Sequence, residues 1–479
     1  MIPEARSQVG AGTDAEHRSD KRASHIARRI EADIIRRGWP IGQSLGSEQA
    51  LQQRYRVSRS VLREAVRLVE HHQVARMRRG PNGGLLVCEP DAAPATHAII
   101  IYLEYLGTTI GDLLDARLLL EPLAASLAAE QIDEAGIDRL RAVLRADELR
   151  DEFHAALAEQ SKNPVLQLFI DILMRLTVRY AQDSRLDSAR DALEAIDRRH
   201  QEHADIVAAV TAGDSARAKT LSERHAESVT AWLQDHQPPG RAGNPRGLER
   251  EPPRGKLAEV LATAIRDDIV TSGRQIGEVF GTEVALLERY RVSRSVLREA
   301  VRLLEYHAVA KMRRGPGGGL VVAEPQAQAS IDTIALYLQY RKPHGEDLRL
   351  VRDAIEIDNV AKVVKRRDAP DVRAFLDTHR LIIEEAGDDL RKAGMEEFLF
   401  HTGLAQLAGN AVLDLFLRII VEVFRRHWST AKQPIPSHSD LVDVQRAHLR
   451  IIEAITDGDD SLARYRTRRH LDATASWWL

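Results

Sequence analysis

RYRVSRSVLREAVRL occupies residues 54–68 and returns without a change at 289–303. Within it, Ser58 is placed to cap a helix running to about His72. Leu62, Ala65, Val66 and Val69 follow at i, i+3, i+4 and i+7, the spacing of a buried helical stripe. Arg59, Arg63 and Arg67 recur at i, i+4 and i+8 on another face, with Ser60 beside Arg63. The second copy repeats the set as Ser293, Arg294, Ser295, Arg298 and Arg302. A helix that buries one stripe and offers Arg near its N-terminus on another suits the second helix of a helix-turn-helix. Arg pairs bidentately with guanine, while Ser and backbone N–H groups hold phosphate.

Upstream, Ser47–Arg54 predicts a short helix with Ala50 and Leu51 inward, and Ile26, Ile30 and Ile34 mark a helix over His25–Arg37. Downstream, MRRGPNGGLLVCEP (77–90) and MRRGPGGGLVVAEP (312–325) each read as two short strands around a Gly-rich turn. Such a wing carries Arg78 and Arg79 in the first copy and Arg313 and Arg314 in the second. No strand pattern is visible outside the wings.

The repeats keep an offset of 235 residues, far beyond a solenoid period, so the chain holds two whole copies of a two-domain unit. HQPPGRAGNPRGLEREPPRG (236–255) has nine Pro or Gly in twenty residues and joins them as a linker. The expected organisation is a loose tail (1–24), a winged head (25–91), a helical sensor domain (95–235), the linker, a second head (256–326) and a second sensor (330–479). The fold class is mainly α: two winged helix-turn-helix domains, each followed by an all-helical bundle.

The 479-residue chain has a net charge of −3, yet residues 54–80 and 289–315 each carry +6, leaving −15 for the rest. Two basic islands on an acidic body are an electrostatic footprint for phosphate backbone. Aromatics at 5% argue against a stacking platform for single strands. One cysteine, Cys88, excludes an intrachain disulfide and suits a reducing cytoplasm, where the protein is expected. No run of 18 apolar residues predicts a membrane span. A phosphate loop, a nucleophile elbow and His-Glu-x-x-His are all missing, so an enzyme is not expected.

Both halves resemble the GntR family of bacterial transcription factors, in its FadR-like branch, with the pattern G-x-x-L-x-S/T-E … V-S-R-x-x-x-R-E-A-V-R-L … G-x-G-G. The matching segments are Gly42–Glu48, Val57–Leu68 and Gly80–Gly84, then Gly277–Glu283, Val292–Leu303 and Gly315–Gly319. The resemblance implies that Arg59, Arg63, Arg294 and Arg298 touch an operator and that the wings reach the adjacent groove. The chain departs from it at Gln49 and Val284, where the family has Arg, and at Arg56 and Arg291, where it has Gly. Family members dimerise on inverted repeats; here one chain could supply both heads as a covalent pseudo-dimer, with further dimerisation open.

The remaining segments resemble the family's helical FCD sensor domain, in which many members bind a divalent metal through one Asp and three His. In the second copy Glu397 and His401 share a helix face at i, i+4, and His448 and His470 flank the turn TDGDD (456–460) of a helical hairpin. Such a set suits Zn²⁺ or a similar ion. The first copy keeps His154, His203 and His225, but Arg150 stands where Glu397 would be, with Asp147 and Asp151 as substitutes. The metal is therefore expected chiefly in the second sensor. The resemblance further implies that Arg352 and Arg117 hold a small carboxylate effector; each could instead pair with Glu356 or Glu121 at i+4. Asn163 and Asn410 occupy matching turns and read as structural.

The function expected is a sequence-specific regulator of double-stranded DNA, more often a repressor, on a near-palindromic operator. The alternative is a non-specific architectural DNA-binding protein, which would show a steep salt slope and no preferred sequence.

Overall fold

The computed structural model describes residues 11–78, 80, 83–146, 152–181, 189–235, 257–306, 309–313, 315, 317–324, 326–386, 390–430 and 438–478. The expected linker, Arg79, Arg314 and Asp147–Asp151 lie outside them.

The first head comprises α1 (Ala11–Arg36), α2 (Glu48–Tyr55), α3 (Arg59–His71), β1 (Ala75–Arg78) and β2 (Gly84–Val87). Helix α1 begins at Ala11, so residues 11–24 extend the first helix where a loose tail was expected. Ser47 and Ser58 cap α2 and α3, accepting from Ala50 N and Val61 N. Leu62, Ala65, Val66 and Val69 are buried against Ile26, Ile30 and Ile34 of α1. Leu51 of α2 joins them, but Ala50 is exposed: the helix is a single capped span of eight residues, and only one side of it meets the core.

The wing strands pair antiparallel, Ala75 opposite Val87 and Arg78 opposite Gly84. Gly84 has φ +138°, and a Cβ there would stand 2.6 Å from the Gly46 carbonyl oxygen, so the close strand crossing requires glycine. That crossing is a further sheet contact, Ser44 bridging Leu86. In the second head the same segment forms a full strand. A strand outside the wings was not expected, because its three residues are too few to show alternation.

The first sensor follows as α4 (Ala93–Tyr105), α5 (Ile110–Gln131), α6 (Glu134–Ala146), α7 (Phe153–Gln160), α8 (Pro164–Ala181), α9 (Ala189–Thr211) and α10 (Ser215–Asp235). The second head comprises α11 (Leu257–Thr271), β3 (Val279–Gly281), α12 (Glu283–Tyr290), α13 (Arg294–Tyr306), β4 (Ala310–Arg313) and β5 (Gly319–Val322), its sheet ordered β3-β5-β4. The second sensor closes the chain as α14 (Gln328–Arg341), α15 (Gly345–Lys365), α16 (Pro370–Ala386), α17 (Leu390–Leu407), α18 (Ala411–Thr430), α19 (His438–Asp457) and α20 (Asp460–Trp478).

The two sensors share one apolar core. Leu113, Leu120 and Ala124 of α5 and Phe169 of α8 belong to the same cluster as Val351 and Ile355 of α15 and Phe416 of α18. Phe169 and Phe416 stack with centroids 4.0 Å apart at the junction. Two asparagines tie the halves reciprocally: Asn163 Nδ2 donates to Asp347 O (3.1 Å), and Asn410 Nδ2 to Asp112 O (2.9 Å). Their Oδ1 atoms accept from the first-turn amides of α8 and α18. The connecting helices α4 and α14 pack on each other, and each carries in its last turn a tyrosine that reaches the other copy's head. Tyr340 OH donates to Glu89 (3.0 Å) and Tyr105 OH to Glu324 (3.3 Å).

Candidate DNA-binding faces and metal centres

Helix α3 projects Arg59, Arg63 and Arg67 into solvent, their side chains 65%, 57% and 50% exposed. The stripe is on the surface because the other side of the helix is committed to the core. Ser58 and Ser60 are exposed beside it with hydroxyls 3.1 Å apart, and Ser293 and Ser295 repeat the pair at 2.9 Å. Arg294, Arg298 and Arg302 are exposed on α13. In the wings Arg78 is exposed, and Arg313 donates to Gly317 O at 3.0 Å.

Sequence reasoning missed the carboxylate that holds the arginines. Glu48, in the first turn of α2, accepts from Arg59 Nε (2.9 Å) and Arg63 Nε (2.8 Å). Hydrogen bonds from Arg59 and Arg63 hold its carboxyl below the usual range. Glu283 stands in the same place in the second head but at 4.0 and 3.9 Å from Arg294 and Arg298. The signal was present in sequence, a Glu opening each short helix, but its partners lie 11 and 15 residues away.

Arg56 and Arg291 end α2 and α12 in the left-handed region, with φ +53° and +51°. A side chain in that region costs about 1 kcal/mol. Both guanidinium-bearing residues are exposed next to the Arg stripe.

Each sensor gathers three histidines from three helices. In the first, His154 of α7, His203 of α9 and His225 of α10 are buried, with His225 Nε2 3.3 Å from His203 Nε2 and 3.4 Å from His154 Nε2. In the second, His401 of α17, His448 of α19 and His470 of α20 converge likewise, His470 Nε2 lying 3.0 Å from His401 Nε2 and 3.3 Å from His448 Nε2. Glu397, one turn before His401, adds a carboxylate 3.1 Å from His448 Nε2 and 3.4 Å from the other two. Both Glu397 oxygens are buried without a well-formed hydrogen bond.

The donor set fits a divalent ion. Ligands at 2.0–2.1 Å from a tetrahedral ion stand about 3.3 Å from each other, the spacing these atoms show. The far side of the rings agrees. His154 Nδ1 lies 3.2 Å from Glu121, His225 Nδ1 2.7 Å from Glu202, and His401 Nδ1 against Glu356. A carboxylate on Nδ1 fixes the proton there and turns the Nε2 lone pair inward, as metal-binding imidazoles require. Burial alone would lower the His401 pKa, but Glu356 and Glu397 raise it to about 10, so a proton there balances the carboxylates when no cation does. His448 is pushed down to about 4, chiefly by burial.

Arg117 and Arg352 are buried and engage the carboxylates behind the histidines. Arg117 donates to Glu121, and Arg352 Nε stands 3.5 Å from Glu356 and 3.2 Å from Asp353. Of the two readings, the geometry favours the ion pair: Arg117 donates to Glu121, and Arg352 donates to Asp353 while standing in ion-pair range of Glu356. Nothing in the sequence signals that Glu121, Glu356 and Glu202 back the histidines, since the Arg-x-x-x-Glu spacing by itself indicates only a helix pair.

Comparison with known proteins places this geometry. The pattern described as bacterial regulatory proteins, gntR family, matches residues 22–82, and that of the FCD domain matches 112–228 and again 347–473. The transcriptional regulator LutR of Bacillus subtilis is 31% identical over 201 residues, 39% of this chain and 90% of its own. The Uxu operon regulator of Haemophilus influenzae is 26% identical over 226 residues (44% and 81%). The transcriptional repressor NanR of an Enterobacter strain is 23% identical over 244 residues (49% and 90%). Each relative is thus spanned almost whole by less than half of this chain, which accords with a duplicated unit.

Proposed function

Because the chain belongs to the GntR family of bacterial regulatory proteins and carries two FCD domains, it is a transcriptional regulator, and we propose that its two heads act as a covalent pseudo-dimer on one near-palindromic operator. The observation that carries this reading is the shared sensor core, with its reciprocal Asn163–Asp347 and Asn410–Asp112 hydrogen bonds. That core makes the two copies one body, as a dimer interface would. Recognition helices whose first ten residues are the same, Arg59–Leu68 and Arg294–Leu303, then meet half-sites of nearly the same sequence.

Ser58, Arg59, Ser60, Arg63, Arg67 and their second-copy counterparts are the residues assigned to DNA, with Arg78, Arg79, Arg313 and Arg314 in the wings. Arg59 and Arg63 exchange Glu48 for the base edges and phosphates on binding. Repression is the reading preferred, in line with the name of the NanR relative.

In each sensor the histidines would hold a divalent ion, with Glu397 as a fourth ligand in the second. When bound, the ion supplies positive charge and open positions for a small carboxylate effector. Arg117 and Arg352 fix the carboxylates that orient His154 and His401, and in this way position the site. DNA affinity changes only by as much as the effector's affinity differs between arrangements of the heads.

The test is selection of a randomised duplex pool by the purified chain at physiological salt. Enrichment of a short inverted repeat, bound at one chain per duplex, supports the reading. Recovery of no motif, with binding that falls steeply in salt, would replace it with an architectural role.

A further inference from the structure

The recognition helices are identical over residues 59–68 and 294–303, but the surface beside them is not. In each head the first turn of the preceding helix abuts the exposed arginine pair: Glu48 touches Arg59 and Arg63, and Glu283 approaches Arg294 and Arg298. The next residue in that turn is Gln49 in one head and Val284 in the other, both exposed. Val284 is 57% exposed, an isopropyl group on a rim otherwise made of charged and polar side chains. A single exposed valine is ordinary on a protein surface. Its place is notable, because it directly follows Glu283, the carboxylate nearest the exposed arginine pair, and its counterpart in the first head carries an amide.

We propose that residues 49 and 284 each read a base pair adjoining the one met by the arginine pair, and that they read it differently, so the operator is asymmetric at this position. A glutamine amide donates and accepts in the geometry of adenine N6 and N7, whereas an isopropyl group packs on the thymine methyl. The first head therefore selects adenine and the second selects thymine at equivalent positions of the half-sites. A duplicated chain can do this where a dimer of identical chains cannot, and it fixes which head occupies which half-site. The other exposed difference on these helices, Gln53 against Glu288, lies more than a turn further along, about 7.5 Å along the axis from the arginine contact at Glu48. The inference rests on the DNA-binding reading above.

Selection from a randomised duplex pool is run with the full chain and with Q49V and V284Q, both at exposed positions. The wild-type motif is expected to be an inverted repeat broken at one pair of equivalent positions. Q49V should restore symmetry with thymine in both half-sites, and V284Q with adenine in both. Exchanging the preferred base in one half-site should weaken binding roughly 5- to 150-fold for the wild type, the equivalent of about 1–3 kcal/mol. A symmetric wild-type motif, or a motif that neither substitution alters, overturns the inference while leaving the regulator reading intact. No motif in any of the three overturns both.

Discussion

Glu31 of the first head accepts a hydrogen bond from Arg426 of the second sensor at 2.9 Å, with both side chains buried. Arg426 also meets Glu422 (2.7 Å) and Asp332 (3.3 Å), and Glu31 meets His72, the residue that caps the C-terminus of recognition helix α3. A polar cluster thus runs from the second sensor to the end of the first recognition helix. The duplication does not reproduce it: Arg266 takes the place of Glu31 in the second head and pairs with Asp267 at 2.8 Å. The two heads share the Tyr–Glu contacts to the connecting helices but differ in charge at this position of the first helix.

Replacing Glu31 by Gln should therefore loosen one head and not the other. The variant keeps the shape but removes the charge, leaving Arg426 with Glu422 and Asp332. A charge-assisted buried hydrogen bond contributes about 1.5–3 kcal/mol. Hydrogen exchange should quicken in α1 and α3 and stay unchanged in α11 and α13. Equal loosening of both heads would show that the ion pair does not govern the attachment.

The same carboxyl gives the junction a pH dependence. Burial pushes the Glu31 pKa up, but His72 and Arg426 outweigh it and hold the group below its ordinary value near 4.5. A lowered pKa stabilises the folded arrangement above the unfolded value, and that contribution is lost as pH falls through the folded one. The attachment of the first head should be constant from neutral pH down to about 4.5 and weaken below it. Exchange rates in α1 measured across this range should rise in the wild type and be flatter in E31Q. The same slope in both would assign the acid sensitivity to other groups.

Chelation is the check on the histidine clusters. An ion bound only by the folded state at 100 times its Kd adds about 2.7 kcal/mol. Treatment with EDTA should lower the melting temperature, and Zn²⁺ should restore it. His448→Ala should abolish the part of that response due to the second sensor, and His203→Ala the part due to the first. A melting temperature indifferent to chelator and metal, with no metal in the purified protein, would make both clusters structural.

Much of this was legible in the sequence because the signals were local or duplicated. The apolar stripe and Ser58 cap of α3 sit within one helix, and the unchanged repeat at 289–303 marked the second head. His448 and His470 could be brought together from a turn midway between them, since a hairpin's geometry follows from its turn. Contacts between the copies were not legible. Glu31 and Arg426 lie 395 residues apart, and Glu31 has Arg266 at its duplicated position, so the repeat does not advertise the pair. Ala50 was misplaced because periodicity in a span of eight residues leaves the buried side poorly determined. Glu202 escaped because a carboxylate beside a histidine in sequence does not reveal that it serves the histidine of the next helix, His225.

Arg56 and Arg291 put backbone strain beside the proposed DNA face, and glycine separates its two consequences. At φ +53° and +51° each residue gives up about 1 kcal/mol that glycine would recover. Glycine also loosens the unfolded chain, so R56G should stabilise the first head by less than that, about a few tenths of a kcal/mol. If the guanidinium meets a phosphate, the same change should weaken DNA binding for all sequences alike and reduce the slope of log K against log salt by about 1. Denaturant titration and binding at several salt concentrations read the two effects independently. Greater stability with an unchanged salt slope would mean that the arginine is tolerated at the turn without serving DNA. Lower stability would mean that the Arg56 side chain stabilises the head by more than the left-handed backbone costs.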